Sequence, residues 1–184
     1  RVLFRSYRAI PNEALGTAYI VQAFGNIQTG VPELNGSQFV IVGTESNTVV
    51  NITPSSSSGG RLAGVPYSIT LHEGQAYQFR NTNDAPADVS GTLISSDKPI
   101  AVFGSHMCTA VPTPDVFFMD HLVEQLLPVT MFGQSFPTFP FATRTGGDTF
   151  RVLASVDNTA VSVNGVLKAT INKGQSRSEE HTSE

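Results

Sequence analysis

The chain has 184 residues, of which 40% are hydrophobic and only 14% charged, with a formal net charge of −4, one cysteine and no tryptophan. A mildly acidic chain without Lys/Arg clusters is poorly suited to neutralising phosphates, which argues against nucleic acid as a partner. No apolar run is long enough to span a bilayer as a helix, and a single thiol cannot staple the chain to itself.

The two ends are set aside first. RVLFRS, Arg1 to Ser6, is the translation of CGTGTGCTCTTCCGATCT, and RSEEHTSE, Arg177 to Glu184, is the translation of AGATCGGAAGAGCACACGTCTGAA. Both match a common short-read sequencing adapter, in opposite orientations, so the natural sequence is expected to run from about Tyr7 to Ser176. The charges on the two ends cancel, and any membrane attachment would lie in regions not present here.

Between those ends, alternating apolar positions predict strands near 17–24, 38–43, 48–53, 67–71, 75–80, 90–95 and 99–104. PSSSSGG, Pro54 to Gly60, reads as a flexible loop and TNDAPAD, Thr82 to Asp88, as another. Pro99 is placed at the first position of its strand, where its missing N–H removes no central ladder bond. Scarce charge with abundant Gly, Pro, Ser, Thr and Asn fits strands joined by turns better than helices. About seven short strands separated by turns predict an all-β fold of β-sandwich type, with a barrel as the runner-up.

A repeat sets the domain organisation. SQFVIVGTESNTVVNIT, Ser37 to Thr53, lies over DTFRVLASVDNTAVSVN, Asp148 to Asn164, with Phe39 over Phe150, Ile41 over Val152, Val50 over Val161 and Ile52 over Val163. In both copies an Asn-Thr turn, Asn47-Thr48 and Asn158-Thr159, separates two alternating stretches, which reads as a half-buried hairpin. Upstream, Ile10 to Phe24 lies over Leu127 to Phe141; downstream, ITLHEGQ at Ile69 to Gln75 lies over ATINKGQ at Ala169 to Gln175. The expected division is therefore a complete first module over 7–126 and a truncated second module over 127–176. The truncation would leave an open sheet edge.

The residue types that carry chemistry are few. In FFMDHLVEQLLP, Asp120, His121 and Glu124 stand among large apolar residues. On a helix, with Asp120 as N-cap, Asp120 and Glu124 would share a face; on a strand, His121 and Glu124 would point to opposite faces. A metal needs three or four converging ligands, and only Asp115 and His106 stand in reserve. The favoured reading is that Asp120 and Glu124 satisfy backbone amides in the connection between the modules. Cys108 with His121 or His106 makes a weak nucleophilic dyad, because there is no Gly-x-Ser-x-Gly elbow. The Gly59-Gly60 and Gly146-Gly147 pairs lack the Lys-Ser/Thr of a phosphate loop. Asn35 (NGS) and Asn51 (NIT) head glycosylation sequons, and Asn35 is the better acceptor because Asn51 falls in a predicted strand. The best interaction candidate is TAVPTPDVFFM, Thr109 to Met119, in which Pro112 and Pro114 stiffen a loop leading to Phe117 and Phe118, followed by Asp120 and His121. The alternative reading, slightly favoured, is that Phe117 and Phe118 fill the junction between modules.

Three stretches carry a family resemblance: ISSDKPIAVFGSHMCTAVP, MDHLVEQLLPVTMFGQSF and GDTFRVLASVDNTAVSVNG. Together they resemble the N-terminal domain family of the IgG Fc-binding protein, over about Gly16 to Gln175. The resemblance implies an extracellular or cell-surface binding and adhesion module, non-catalytic and without cofactors. It implies a protein or glycoprotein ligand of immunoglobulin or mucin type. In that family a second Cys often precedes the Asp-His pair, but Met119 stands there in this chain. Cys108 is thus left to pair outside the fragment or to remain a thiol. The alternative functions are a structural spacer and a metal-dependent carbohydrate-binding module.

Overall fold

The computed structural model describes residues 9–111, 119–139 and 148–181. Eleven strands are found among them: β1 (Gly16–Ile20), β2 (Ser37–Gly43), β3 (Thr48–Thr53), β4 (Tyr67–Leu71), β5 (Ala76–Asn81), β6 (Leu93–Thr109), β7 (Asp120–Gln125), β8 (Asp148–Leu153), β9 (Thr159–Val163), β10 (Val166–Ile171) and β11 (Ser176–His181). Short 3-10 turns precede β1 at Asn12–Ala14 and follow β7 at Val129–Met131. The fold is all-β, as composition and periodicity predict.

β6 organises the first seven strands. Its residues 93–96 pair with β3, residues 93–95 and 100 with β1, residues 100–106 with β2, and residues 103–109 with β7. β4 then adds to β3 and β5 to β2. The long strand thus passes from a β4-β3-β6-β1 layer into a β5-β2-β6-β7 layer, as strands at the corners of packed sheets do. Two expectations are corrected here. Residues 93–95 of the first expected stretch and the whole of 99–104 belong to one 17-residue strand, with Pro99 inside it, while 90–92 form a turn before it. Pro99 is tolerated because the β3 ladder stops at Ser96 and the β2 ladder starts at Ile100, so no partner strand needs its N–H. β2 and β3 also do not form a hairpin. Asn47 adopts the left-handed conformation that the turn requires (φ 58°), but the chain continues along β6 rather than reversing onto itself.

The core lies between the layers and follows from period-two alternation. Along β3, Thr48, Val50 and Ile52 are buried while Val49 and Asn51 are exposed. Phe39 and Phe79, directly opposite in the β2–β5 ladder, stack with ring centroids 5.3 Å apart. Tyr19 is buried among them, and its hydroxyl donates to the Ile100 carbonyl at 2.7 Å while accepting the Gly16 N–H at 2.9 Å. Desolvation raises its pKa above the ordinary tyrosine value, and the Gly16 hydrogen bond opposes the shift. Gly104 is required at its position: a Cβ there would come within 1.9 Å of the Gln22 carbonyl oxygen.

Strands β8–β11 pair differently from a single continuous sheet: β8 with β11 and β9 with β10. The ladders have the registers of β2·β5 and β3·β4. Phe39 faces Phe79 and Phe150 faces position 179, while Val50 faces Ile69 and Val161 faces Ala169. The turns agree as well. Asn158 has φ 56° like Asn47, and Gly174 has φ 79° like Gly74. Gly174 N–H donates to the Ala154 carbonyl as Gly74 N–H donates to that of Gly43. β9 and β10 are joined by Asn164-Gly165, both left-handed, as a two-residue hairpin loop demands.

Candidate functional site

A buried polar network closes one end of the sandwich, where the segments 25–36, 54–61 and 82–90 meet the C-terminal half of β6. Asn26, 3% exposed, is its centre. Its Oδ1 accepts the backbone N–H groups of Gly36 and Ser37, each at 2.9 Å, and lies 2.9 Å from His106 Nε2. Its Nδ2 donates to the carbonyls of Asn81 and Asn83 at 2.9 and 2.8 Å. Each of these groups is buried or half-buried and needs a partner, so one amide side chain holds three segments in register.

His106 completes the network. It is 1% exposed, and its Nδ1 accepts the Cys108 N–H at 3.0 Å. Nδ1 is therefore unprotonated, and Nε2 carries the hydrogen donated to Asn26. Burial lowers the His106 pKa from 6.5 to about 4; Arg80 pushes the same way, against Asp88 and the Cys108 hydrogen bond. The imidazole is a neutral structural bridge at physiological pH.

The outer loops are tied to the same centre. Asn35 Nδ2 donates to the Gln28 and Asn83 carbonyls, and Arg80 Nη2 donates to the Asn35 carbonyl at 2.6 Å. Asn35 is fully buried, whereas Asn51 is exposed on β3. The expectation that Asn35 is the better glycosylation acceptor is corrected: its amide nitrogen is spent on backbone carbonyls. PSSSSGG is likewise not loose. Ser58 Oγ donates to the Arg80 carbonyl, Asn81 Nδ2 donates to Ser56 Oγ and to the Ser57 carbonyl, and the Ser55 N–H donates to Thr92 Oγ1.

Over this frame sit Met107 (43% exposed) and Val111 (38% exposed), with Met107 Sδ 2.8 Å from Arg80 Nη2. The connection from β6 to β7 starts and ends here. Of the sequence-predicted interaction residues, Pro112, Pro114, Phe117 and Phe118 lie outside the described residues, as does Asp115. Met119 is described, and its sulfur accepts from Gln28 Nε2 at 3.6 Å. Asp120 and His121 open β7, opposite Thr109 and beside the same end. His121 is exposed and Asp120 half-buried, His121 Nδ1 lies 3.8 Å from Asp120 Oδ1, and Asp120 Oδ1 accepts the His121 N–H.

DHLVEQ is thus a strand, neither a helix nor a connection between modules, because it fills the edge of β6. Asp120 does bond a backbone amide, as expected. Glu124 lies on the same strand face but about 13 Å away at the usual rise per residue, too far to share one site with Asp120. Burial raises the Glu124 pKa. Glu124 and Gln125 line a separate groove of about 550 Å3 with Ile10, Ile20, Phe132 and Leu153. Gln125 Oε1 accepts the Ile10 N–H there. Among the described residues no group of three or more His, Cys, Asp or Glu is placed to hold a metal ion, and Cys108 is a free thiol.

The family model for the IgGFc binding protein matches residues 6–184. The chain belongs to the IgGFc binding protein family. A human relative, "IgGFc-binding protein", is 28% identical over 149 residues, which is 79% of this chain and 2% of the relative. The chain therefore spans a small fraction of that protein's length. No solved structure matches it. Among the described residues no helix is long and apolar enough to cross a membrane.

Sequence reasoning missed the Asn26–His106 network. The signal available was only Asn, Ser and His scattered over four segments, which nothing local connects.

Proposed function

We propose that this chain is an extracellular, non-catalytic protein-binding module that presents the network-supported end of the sandwich to its ligand. The observation that carries the reading is the buried Asn26–His106 network beneath Met107, Val111, Asp120 and His121. A surface whose loops are tied down before binding loses little conformational freedom on association. Exposed apolar side chains next to the polar Asp120–His121 pair on such a surface suit a protein or glycoprotein ligand. The family and the name of the human relative make the Fc region of immunoglobulin G the first ligand to try.

The test is surface plasmon resonance of the chain over immobilised Fc, Fab and a mucin-type glycoprotein. Two double variants accompany it, Met107→Ser with Val111→Ser and Asp120→Ala with His121→Ala. The expected result is binding to Fc or to the glycoprotein, weakened at least tenfold by either variant, with Tm within about 2 °C of the parent because surface substitutions cost little stability. Absent binding to all three, or binding indifferent to both variants, overturns the proposal.

A further inference from the structure

We propose that Asn164 is a site of spontaneous covalent modification, deamidation through a succinimide, and that the Asn26 network holds the same chemistry shut at Asn35. The inference does not rest on the Fc-binding proposal. Asn-Gly occurs twice in the chain, at Asn35-Gly36 and at Asn164-Gly165. The dipeptide is open to this reaction because glycine has no Cβ to keep its own nitrogen away from the side-chain carbonyl that precedes it. The two copies sit in opposite environments.

Asn164-Gly165 is the loop joining β9 to β10, within the stretch expected to be natural sequence, and it needs only its own two strands, which pair Val163 with Val166. Asn164 has φ 50° and Gly165 φ 78°, both are exposed, and a Cβ built on Gly165 would meet nothing within 4 Å. Neither the Asn164 side chain nor the Gly165 N–H has a hydrogen-bond partner among the described residues. Nucleophile and electrophile are therefore adjacent, solvated and unheld. The Gly165 nitrogen gives its proton to solvent base and attacks Asn164 Cγ; the Cγ–Nδ2 bond breaks and ammonia leaves. Water then opens the ring at either carbonyl, giving aspartate or isoaspartate. The net change consumes water and releases ammonia, with no oxidant or reductant. Isoaspartate adds a carbon to the main chain, so the two-residue loop no longer holds the Val163–Val166 register.

Asn35-Gly36 is locked. Asn35 is fully buried, its Nδ2 donates to the Gln28 and Asn83 carbonyls at 3.0 and 3.1 Å, and its Oδ1 accepts the Gln28 N–H at 3.3 Å. The attacking nitrogen is held as well, since the Gly36 N–H donates to Asn26 Oδ1 at 2.9 Å. Reaction at Asn35 thus requires the network to open first. A carboxylate formed there would be buried against the Gln28 and Asn83 carbonyls, so the network would not close again around it.

The experiment incubates the full chain at pH 8 and follows each asparagine by peptide mass spectrometry, with aspartate and isoaspartate separated by reversed-phase chromatography. Asn47 and Asn158 are the comparators. Both are exposed and left-handed, with φ 58° and 56°, but each is followed by threonine, whose branched side chain crowds the attacking nitrogen. Deamidation at Asn164 is expected to run at least tenfold faster than at Asn47, Asn158 or Asn35, with isoaspartate among its products. In urea above the unfolding midpoint, Asn35 is expected to rise to the rate of Asn164, because only the fold separates the two. Equal native rates at Asn164 and Asn158 overturn the proposed site. A native rate at Asn35 that matches its rate in urea overturns the lock.

Discussion

Acidification from pH 7.5 to pH 4 tests the buried His106 bridge directly. In the unfolded chain the imidazole titrates near 6.5, whereas in the folded chain its pKa is held at about 4, chiefly by burial. As pH falls below 6.5 the unfolded state takes up a proton that the folded state refuses. Stability is therefore lost between about pH 6.5 and pH 4 and levels off below that. The gap of roughly 2.5 pH units corresponds to about 3 kcal/mol. The site explains the refusal: a proton on the ring would leave a charge where the side chain is 1% exposed, and the Arg80 guanidinium repels it further. The assay is urea denaturation at pH 7.5, 6, 5 and 4 for the wild type and for His106→Gln. Comparing the two cancels the carboxylates, which titrate in both. The variant should be less stable at pH 7.5, and the difference should shrink by about 3 kcal/mol on reaching pH 4. Parallel stability curves, or an NMR midpoint for the His106 ring near 6.5, would refute the reasoning.

Three other outcomes are expected. Asn26→Ala strands the Gly36 and Ser37 N–H groups and two carbonyls, so denaturation should show a loss of at least about 4 kcal/mol, at roughly 1–3 kcal/mol for each unsatisfied buried group. Gly104→Ala drives a methyl into the Gln22 carbonyl, and because that contact is with backbone, the soluble yield or the Tm should fall sharply; an unchanged Tm would mean that the segment after β1 can move away from β6 there. Expressed in a secretory eukaryotic host, the folded protein should carry glycan at the exposed Asn51 and none at the buried Asn35, as glycopeptide mass spectrometry would read.

Strands whose two faces differ were legible in the sequence. β2, β3, β4 and β5 fall within a residue or so of their expected limits, because alternation of buried and exposed side chains is a local property of each segment. The middle of β6 was not legible, since SDKP looks like a turn until neighbouring strands are seen to leave that point unpaired. DHLVEQ was ambiguous for a related reason. Its pattern suits a helix or a strand, and only the open edge of β6 decides between them.

The sequence by itself determined the all-β class, the left-handed Asn turns and the likeness between 37–53 and 148–164, each a matter of residue type and spacing. Tertiary structure alone decided that β2 and β3 share β6 instead of pairing with each other, that Asn35 is buried, and that Asn26 and His106 meet across 80 positions of chain. The physical reason is common to all three. A hydrogen bond between distant segments depends on which backbone groups remain unsatisfied after the sheets have formed, and no local pattern of residues carries that information.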